Sequence, residues 1–110
     1  VVLWGDGTQT RELIFIDDAV DIILQSMSPK TPKIFNLSSG KSYTLKTYAK
    51  TICDIVDYDY NLIKWDTEAF VGSKSKKLIN THLKGYKFTS LKKGLEKTIK
   101  YYEDSISSSK

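Results

Sequence analysis

Cysteine, histidine and methionine occur once each in this 110-residue chain and proline twice, and each scarcity closes a route. Cys53 has no second thiol to pair with, so no internal disulfide forms and a reduced, cytoplasmic setting is the default. With His82 the lone imidazole, far in sequence from the acidic step Asp17-Asp18, no metal-ligand pattern is present. The longest apolar runs, Leu13 to Ile16 and Ile22 to Leu24, fall far short of the about 20 residues of a membrane span. No charged segment followed by an apolar stretch marks a secretory signal. Membrane insertion and secretion are thus not expected.

What is there suits one globular domain, which at this length buries roughly two thirds of its unfolded surface. Net charge is +4, with much of the excess between Lys74 and Lys100. That surplus fits nucleotide phosphates, nucleic acid or an acidic protein, and does not choose among them. Val1-Val2-Leu3-Trp4 opens inside a strand pattern, as expected of a piece of a longer chain. The expected domain runs over 1–104, and the serine-rich 105–110 is expected to be a disordered tail.

Pattern and punctuation predict an α/β unit in the order β, β, α, β, α, β, short α, α. Val1 to Trp4 and Arg11 to Ile16 read as strands around the turn chemistry of Gly5-Asp6-Gly7, with Leu13 to Ile16 apolar on both faces. Asp17 is the expected N-cap of a helix to about Met27, with Val20, Ile23, Leu24 and Met27 as its stripe. Ser28 to Pro32 ends it. Lys33 to Ser38 reads as a strand. Thr44 caps a helix from Leu45 to about Asp57, with Leu45, Tyr48, Ala49, Ile52, Ile55 and Val56 inward. Leu62 to Trp65 reads as a strand and Asp66 to Lys76 as an irregular loop. Asn80 or Thr81 starts a short helical turn closed by Gly85. Ser90 caps a last helix, with Leu91, Leu95, Thr98, Ile99 and Tyr102 inward.

One segment carries chemistry. If Gly5 to Thr10 closes a hairpin, Trp4 and Arg11 stand opposite each other at its base. An indole wall and a planar guanidinium fork would then share one mouth, suited to a sugar or base and to two phosphate oxygens. On these residues alone a plainer alternative stays open, with Arg11 a solvated strand-end charge and Trp4 a core aromatic.

The segment from Trp4 to Val20 resembles the extended short-chain dehydrogenase/reductase family, the nucleotide-sugar epimerases, dehydratases and reductases, and most of all its GDP-L-fucose synthase branch. That family shows a strand, W/F-G-x-G-x-x-x-R, an apolar strand and a paired acidic step before a helix. Later stretches resemble it in the same order: Phe35 to Gly40, Ile63 to Thr67, Lys76 to Asn80, and Gly85 to Leu95. The resemblance implies the C-terminal, substrate-binding part of a Rossmann-type enzyme. Its partner would be a nucleoside-diphosphate sugar, with Arg11 on the diphosphate, Trp4 along the ligand, and Lys77 or Lys76 from the late loop. It also implies NAD(P) in the parent, a missing N-terminal Rossmann domain, and a parent for which homo-oligomers are open.

The chain itself lacks the cofactor fingerprint G-x-x-G-x-x-G. The catalytic spelling Y-x-x-x-K occurs once, at Tyr60-Asn61-Leu62-Ile63-Lys64. It is rejected, because on a predicted strand its ends stand about 13 Å apart. The fragment alone is therefore expected to hold no cofactor and to be non-catalytic. His82 reads as a surface residue and Cys53 as a small core residue. Asp17 and Asp18 read as cap and dipole partner rather than a metal pair. A rival from another class is a free-standing basic nucleic-acid-binding or adaptor module, using Lys74, Lys76, Lys77, Lys84 and Lys87 with Tyr86 and Phe88 for stacking.

Overall fold

A computed structural model describes residues 1–31 and 34–109. Strand β1 (Val2–Trp4) pairs in parallel with β4 (Lys64–Asp66), Leu3 opposite Trp65 and Trp4 opposite Asp66. Strand β2 (Thr10–Arg11) pairs antiparallel with β3 (Tyr43–Thr44), Arg11 opposite Tyr43. The expected hairpin is therefore not formed, and Trp4 and Arg11 lie on different ladders. The reason lies at the N-terminus of helix α2 (Leu45–Val56), where the first amides need acceptors. Gln9 and Gly7 supply them, their carbonyls accepting from Leu45 N at 3.1 Å and Lys46 N at 3.1 Å. The Gly-Asp-Gly turn thus docks on a helix instead of folding back on itself.

Helix α2 carries the expected cap, with Thr44 accepting from Thr47 N. It ends at Asp57, whose φ of 55° is left-handed. Tyr48, Ala49 and Cys53 are its buried residues, while Ile52 and Val56, expected inward, are exposed.

Helix α1 (Ile16–Ser26) departs further from expectation. Phe15, not Asp17, is its N-cap, without a side-chain hydrogen bond. Leu13 to Ile16 is not a strand: 13–15 connects into this helix and Ile16 is its first residue. The expected stripe faces outward, with Val20 47%, Ile23 51%, Leu24 61% and Met27 78% exposed. The inward face is Asp18, Ala19 and Ile22. Asp18 sets that rotation, because its carboxylate accepts from Thr89 N at 2.8 Å and Thr89 Oγ1 at 2.9 Å.

Between the helices, the expected strand from Lys33 to Ser38 is not seen. Pro32 and Lys33 lie outside the described residues, and 34–38 is irregular. The expected strand from Leu62 is displaced by a 3-10 turn at Tyr60–Leu62, which Asp59 caps. Tyr60 and Lys64 therefore straddle a turn and a strand, not one helical face. The expected helix near Asn80 is a single turn in which Asn80 Oδ1 accepts from Leu83 N at 2.9 Å, and Gly85 takes no left-handed φ.

Helix α3 (Leu91–Ser108) starts at the expected cap, Ser90. Leu91, Leu95 and Ile99 are half-buried and Gly94 is buried beside Phe15, whereas Thr98 and Tyr102 are exposed against expectation. Residues 105–108, expected to be disordered, continue the helix, and Lys110 lies outside the described residues. The hydroxyls of Ser107 and Ser108 return to carbonyls four residues back, a local bond that needs no burial.

The buried apolar residues among those described are only Ala19, Ile22, Tyr48, Ala49 and Cys53. The radius of gyration, 16.6 Å, exceeds the roughly 13 Å of a compact domain this long. Leu13 to Ile16 line an open apolar cleft of about 380 Å³ against Phe88, Leu91 and Leu95. Among the described residues no helix is long and apolar enough to cross a membrane.

Candidate functional site

The loop expected to be irregular, 66–76, is in large part strapped to β2. Thr10 N donates to Lys74 O at 2.9 Å, Lys76 N donates to Thr10 O at 3.3 Å, and Thr10 Oγ1 meets Ser75 Oγ at 2.9 Å. Arg11 adds three bonds. Its Nη1 donates to Thr10 O at 2.7 Å and Ser73 O at 2.9 Å, and its Nη2 to Val71 O at 3.0 Å. Farther along, Asn36 Nδ2 donates to Ile79 O at 2.9 Å and the Asn80 amide to Ser38 O. The strap thus runs from Val71 to Asn80 with both ends fastened. Lys74, Lys76 and Lys77 lie exposed on it. Of the residues singled out by sequence, the structure bonds Arg11 to the strap whose later residues are Lys76 and Lys77, with Lys76 N on Thr10 O.

Trp4 stands apart from Arg11 at the end of β1, 64% exposed, so it is not a core aromatic. The strap passes its neighbour, since a Cβ on Gly5 would lie 2.6 Å from Val71 Cγ1. Gln9, buried beneath, donates from Nε2 to Trp4 O at 2.9 Å, and its Oε1 is buried without a partner. Arg11 is anchored from its other side by the Tyr48 hydroxyl, which donates to Arg11 O at 2.8 Å, and burial pushes that phenol's pKa up. Arg11 is half-buried, which sets aside the freely solvated strand-end charge.

Two contributors went unread in the sequence. Trp65 packs under the Gly-Asp-Gly turn, its ring filling the space where Gly7 has no Cβ. Thr10, by both backbone groups and its hydroxyl, carries the strap's register. Nothing local flags either, because each partner lies more than fifty residues away.

Both glycines of the turn are closely packed: a Cβ on Gly5 would lie 2.6 Å from Val71 and one on Gly7 2.6 Å from Trp65. The turn is also held acidic at its tip, where hydrogen bonds from Thr8 keep the Asp6 carboxyl below its usual range. Asp17 is exposed and Asp18 is spent on Thr89, and no metal-binding cluster of His, Cys, Asp or Glu occurs among the described residues. His82 is exposed, its ring 5.2 Å from that of Phe35. The aromatics of the basic stripe are engaged with each other and with acid. Tyr86 and Phe88 meet edge to face at 4.8 Å, and Tyr86 donates to Asp21, which pushes its pKa up to about 12.

With that geometry in hand, the relatives fall in one group. Residues 1–38 match the NAD dependent epimerase/dehydratase family. GDP-L-colitose synthase of Yersinia pseudotuberculosis is 31% identical over 93% of this chain and 34% of its own length. A probable GDP-L-fucose synthase of Oryza sativa subsp. japonica is 30% identical over 100% of the chain and 34% of its own. Among solved structures, UDP-glucose 4-epimerase of Thermotoga maritima, with UDP-glucose, superposes with a TM-score of 0.83 at 25% identity. It is covered to 35% of its chain, against 96% of this one. A GDP-L-fucose synthetase of Naegleria fowleri bound to NADP shares the fold, with a TM-score of 0.81 at 19% identity, over 96% of this chain and 35% of that one. The chain therefore spans about a third of the curated relatives it matches. The resemblance to extended short-chain dehydrogenases/reductases holds, and with it the α/β fold class.

Proposed function

We propose that residues 1–104 are the substrate-binding portion of an NAD(P)-dependent nucleotide-sugar epimerase, dehydratase or reductase, and hold a nucleoside-diphosphate sugar. The observation that carries this reading is the union of Arg11 with a strap bearing Lys76 and Lys77. Three of Arg11's five N–H donors go to carbonyls, which among the described residues leaves Nε–H and one Nη2–H, a side-on pair suited to two diphosphate oxygens. Lys76 or Lys77 adds a second cation, and exposed Trp4 an apolar wall. The relatives' names agree, each denoting an enzyme of nucleotide sugars.

In this reading NAD(P) and the reacting tyrosine and lysine belong to an N-terminal Rossmann domain of the parent, not to this chain. The exposed stripe of α1 and the apolar cleft at Leu13 to Ile16 are surfaces such a domain would cover. A cytoplasmic setting accords with the single, buried Cys53. The nucleic-acid rival finds less support, since its two aromatics are packed on each other rather than free to stack.

The test is calorimetric titration of the intact parent with GDP- and UDP-sugars. Binding is expected, and Arg11→Ala should weaken it about 10- to 150-fold, the value of one or so hydrogen bonds to a charged group. A wild-type parent that binds neither sugar nucleotide overturns the reading.

A further inference from the structure

We infer that Arg11 is a positioning residue, which holds the lysine-bearing strap against β2 before any ligand arrives. The inference rests on the substrate-binding reading only for its consequence, not for the contact itself. The guanidinium bridges three carbonyls, those of Thr10, Ser73 and Val71, at 2.7 to 3.0 Å. Thr10 belongs to its own strand, whereas Val71 and Ser73 stand on either side of Gly72. That glycine is left-handed at φ 67°, and a Cβ there would meet nothing within 4 Å. The strap therefore turns with Gly72 itself unpacked and Val71 resting beside Gly5, and the planar fork ties the two flanking carbonyls. Past the turn, the bridge of Thr10 to Ser75 sets the register in which Lys76 follows.

Arg11 is suited to this because it is itself fixed. It is half-buried on a paired strand, with its carbonyl taken by Tyr48. Removing the fork would leave Thr10 and the seat of Val71 beside Gly5 as the strap's ties at this end, and Glu12, whose contact to Leu78 N is long at 3.4 Å, would add little. Lysine cannot replace it fully, since an ammonium does not present coplanar donors to two carbonyls.

Hydrogen–deuterium exchange of the intact, ligand-free parent tests the inference, comparing wild type with Arg11→Ala and Arg11→Lys. Amides from 71 to 77 should exchange about tenfold faster or more in Arg11→Ala and less so in Arg11→Lys, while α2 and α3 keep their protection. Unchanged exchange over 71–77 overturns the inference. So does a rise spread evenly over all elements in both variants, which would make Arg11 a folding residue. A second arm reads the consequence through Lys76→Ala and Lys77→Ala. Their effect on sugar-nucleotide affinity should shrink in the Arg11→Ala background, because the strap no longer presents them. Additive effects would overturn positioning as the route to binding. If wild type binds no sugar nucleotide, only the substrate reading fails, and the exchange arm still decides the inference.

Discussion

The Asp18 carboxylate grips Thr89 with both oxygens, accepting from its backbone amide at 2.8 Å and its hydroxyl at 2.9 Å. The pair joins the first helix to the segment that leads into the last one, across 71 positions. Asp18 is buried, so its removal strands an amide as well as a hydroxyl. Asp18→Ala should cost about 3 kcal/mol or more, and Thr89→Val, which keeps the amide bond, roughly half. Urea unfolding of the parent and both variants checks this, and equal losses in the two would contradict the bidentate account.

The same pair shows why the last and first helices were only partly legible. The caps at Thr44 and Ser90 are local, a hydroxyl and an amide three residues on, and spacing alone finds them. The face of α1 is not local. Periodicity selects Val20, Ile23, Leu24 and Met27, but the helix turns them outward because a distant threonine claims Asp18. The missed hairpin has the same origin: β1 finds its partner at Lys64 to Asp66, and a glycine turn signals a reversal without naming what it docks on. At the candidate site, residue types in Trp4, Arg11, Lys76 and Lys77 were legible. Their arrangement was not, since the strap's ties span some sixty positions.

Two glycines with similar backbone angles should respond differently to alanine. Gly7, at φ 77°, would place its Cβ 2.6 Å from the Trp65 ring and 2.7 Å from Lys46 Cγ. Gly72, at φ 67°, would meet nothing. Gly72→Ala should therefore cost only the left-handed backbone penalty, about 1 kcal/mol. Gly7→Ala should add about 1–3 kcal/mol of overpacking. Melting temperatures of the two variants, measured side by side, test the difference in order and size.

The isolated chain should be only marginally stable and should self-associate. Five buried apolar side chains among the described residues make a small core, and the outward stripe of α1 and the cleft at Leu13 to Ile16 stay wet. It should also fail to bind NAD(P), because it lacks the G-x-x-G-x-x-G turn that brings backbone amides to a pyrophosphate. A monomer with a high, concentration-independent melting temperature, or cofactor binding by calorimetry, would count against these expectations.

Alkaline pH should loosen the contact between Tyr86 and Asp21. The carboxylate, 2.8 Å from the hydroxyl, favours the protonated phenol, raising its pKa from 10.0 to about 12. A raised folded-state pKa stabilises below the unfolded value and is lost as pH climbs through the folded one. The contact should thus persist to pH 10 and fail by about 12. In the parent, Tyr86→Phe should remove one late-titrating phenol from the tyrosinate absorbance curve and flatten the fall of stability over that window. Loss instead of a phenol titrating near the ordinary 10.0 would show that Tyr86 titrates as an ordinary phenol.

The two tryptophans should divide binding from folding. Trp4 is 64% exposed, while the Trp65 ring packs where a Cβ on Gly7 would lie, 2.6 Å away. Loss of Trp65 should leave a void under the turn and undo its docking on α2, at about 3–5 kcal/mol. Loss of Trp4 removes little that is packed, so Trp4→Ala should shift the melting temperature only slightly. If Trp4 is the wall against which a nucleotide sugar lies, the same variant of the parent should bind it about 2- to 12-fold more weakly, the equivalent of 0.5–1.5 kcal/mol of aromatic contact. Trp4→Phe should recover most of that affinity, because a flat apolar face is all the role requires. Fluorescence gives an independent readout, since ligand should perturb Trp4 emission and leave Trp65 emission nearly unchanged in Trp4→Phe. Full affinity in Trp4→Ala would remove Trp4 from the site while leaving the strap and Arg11 in place.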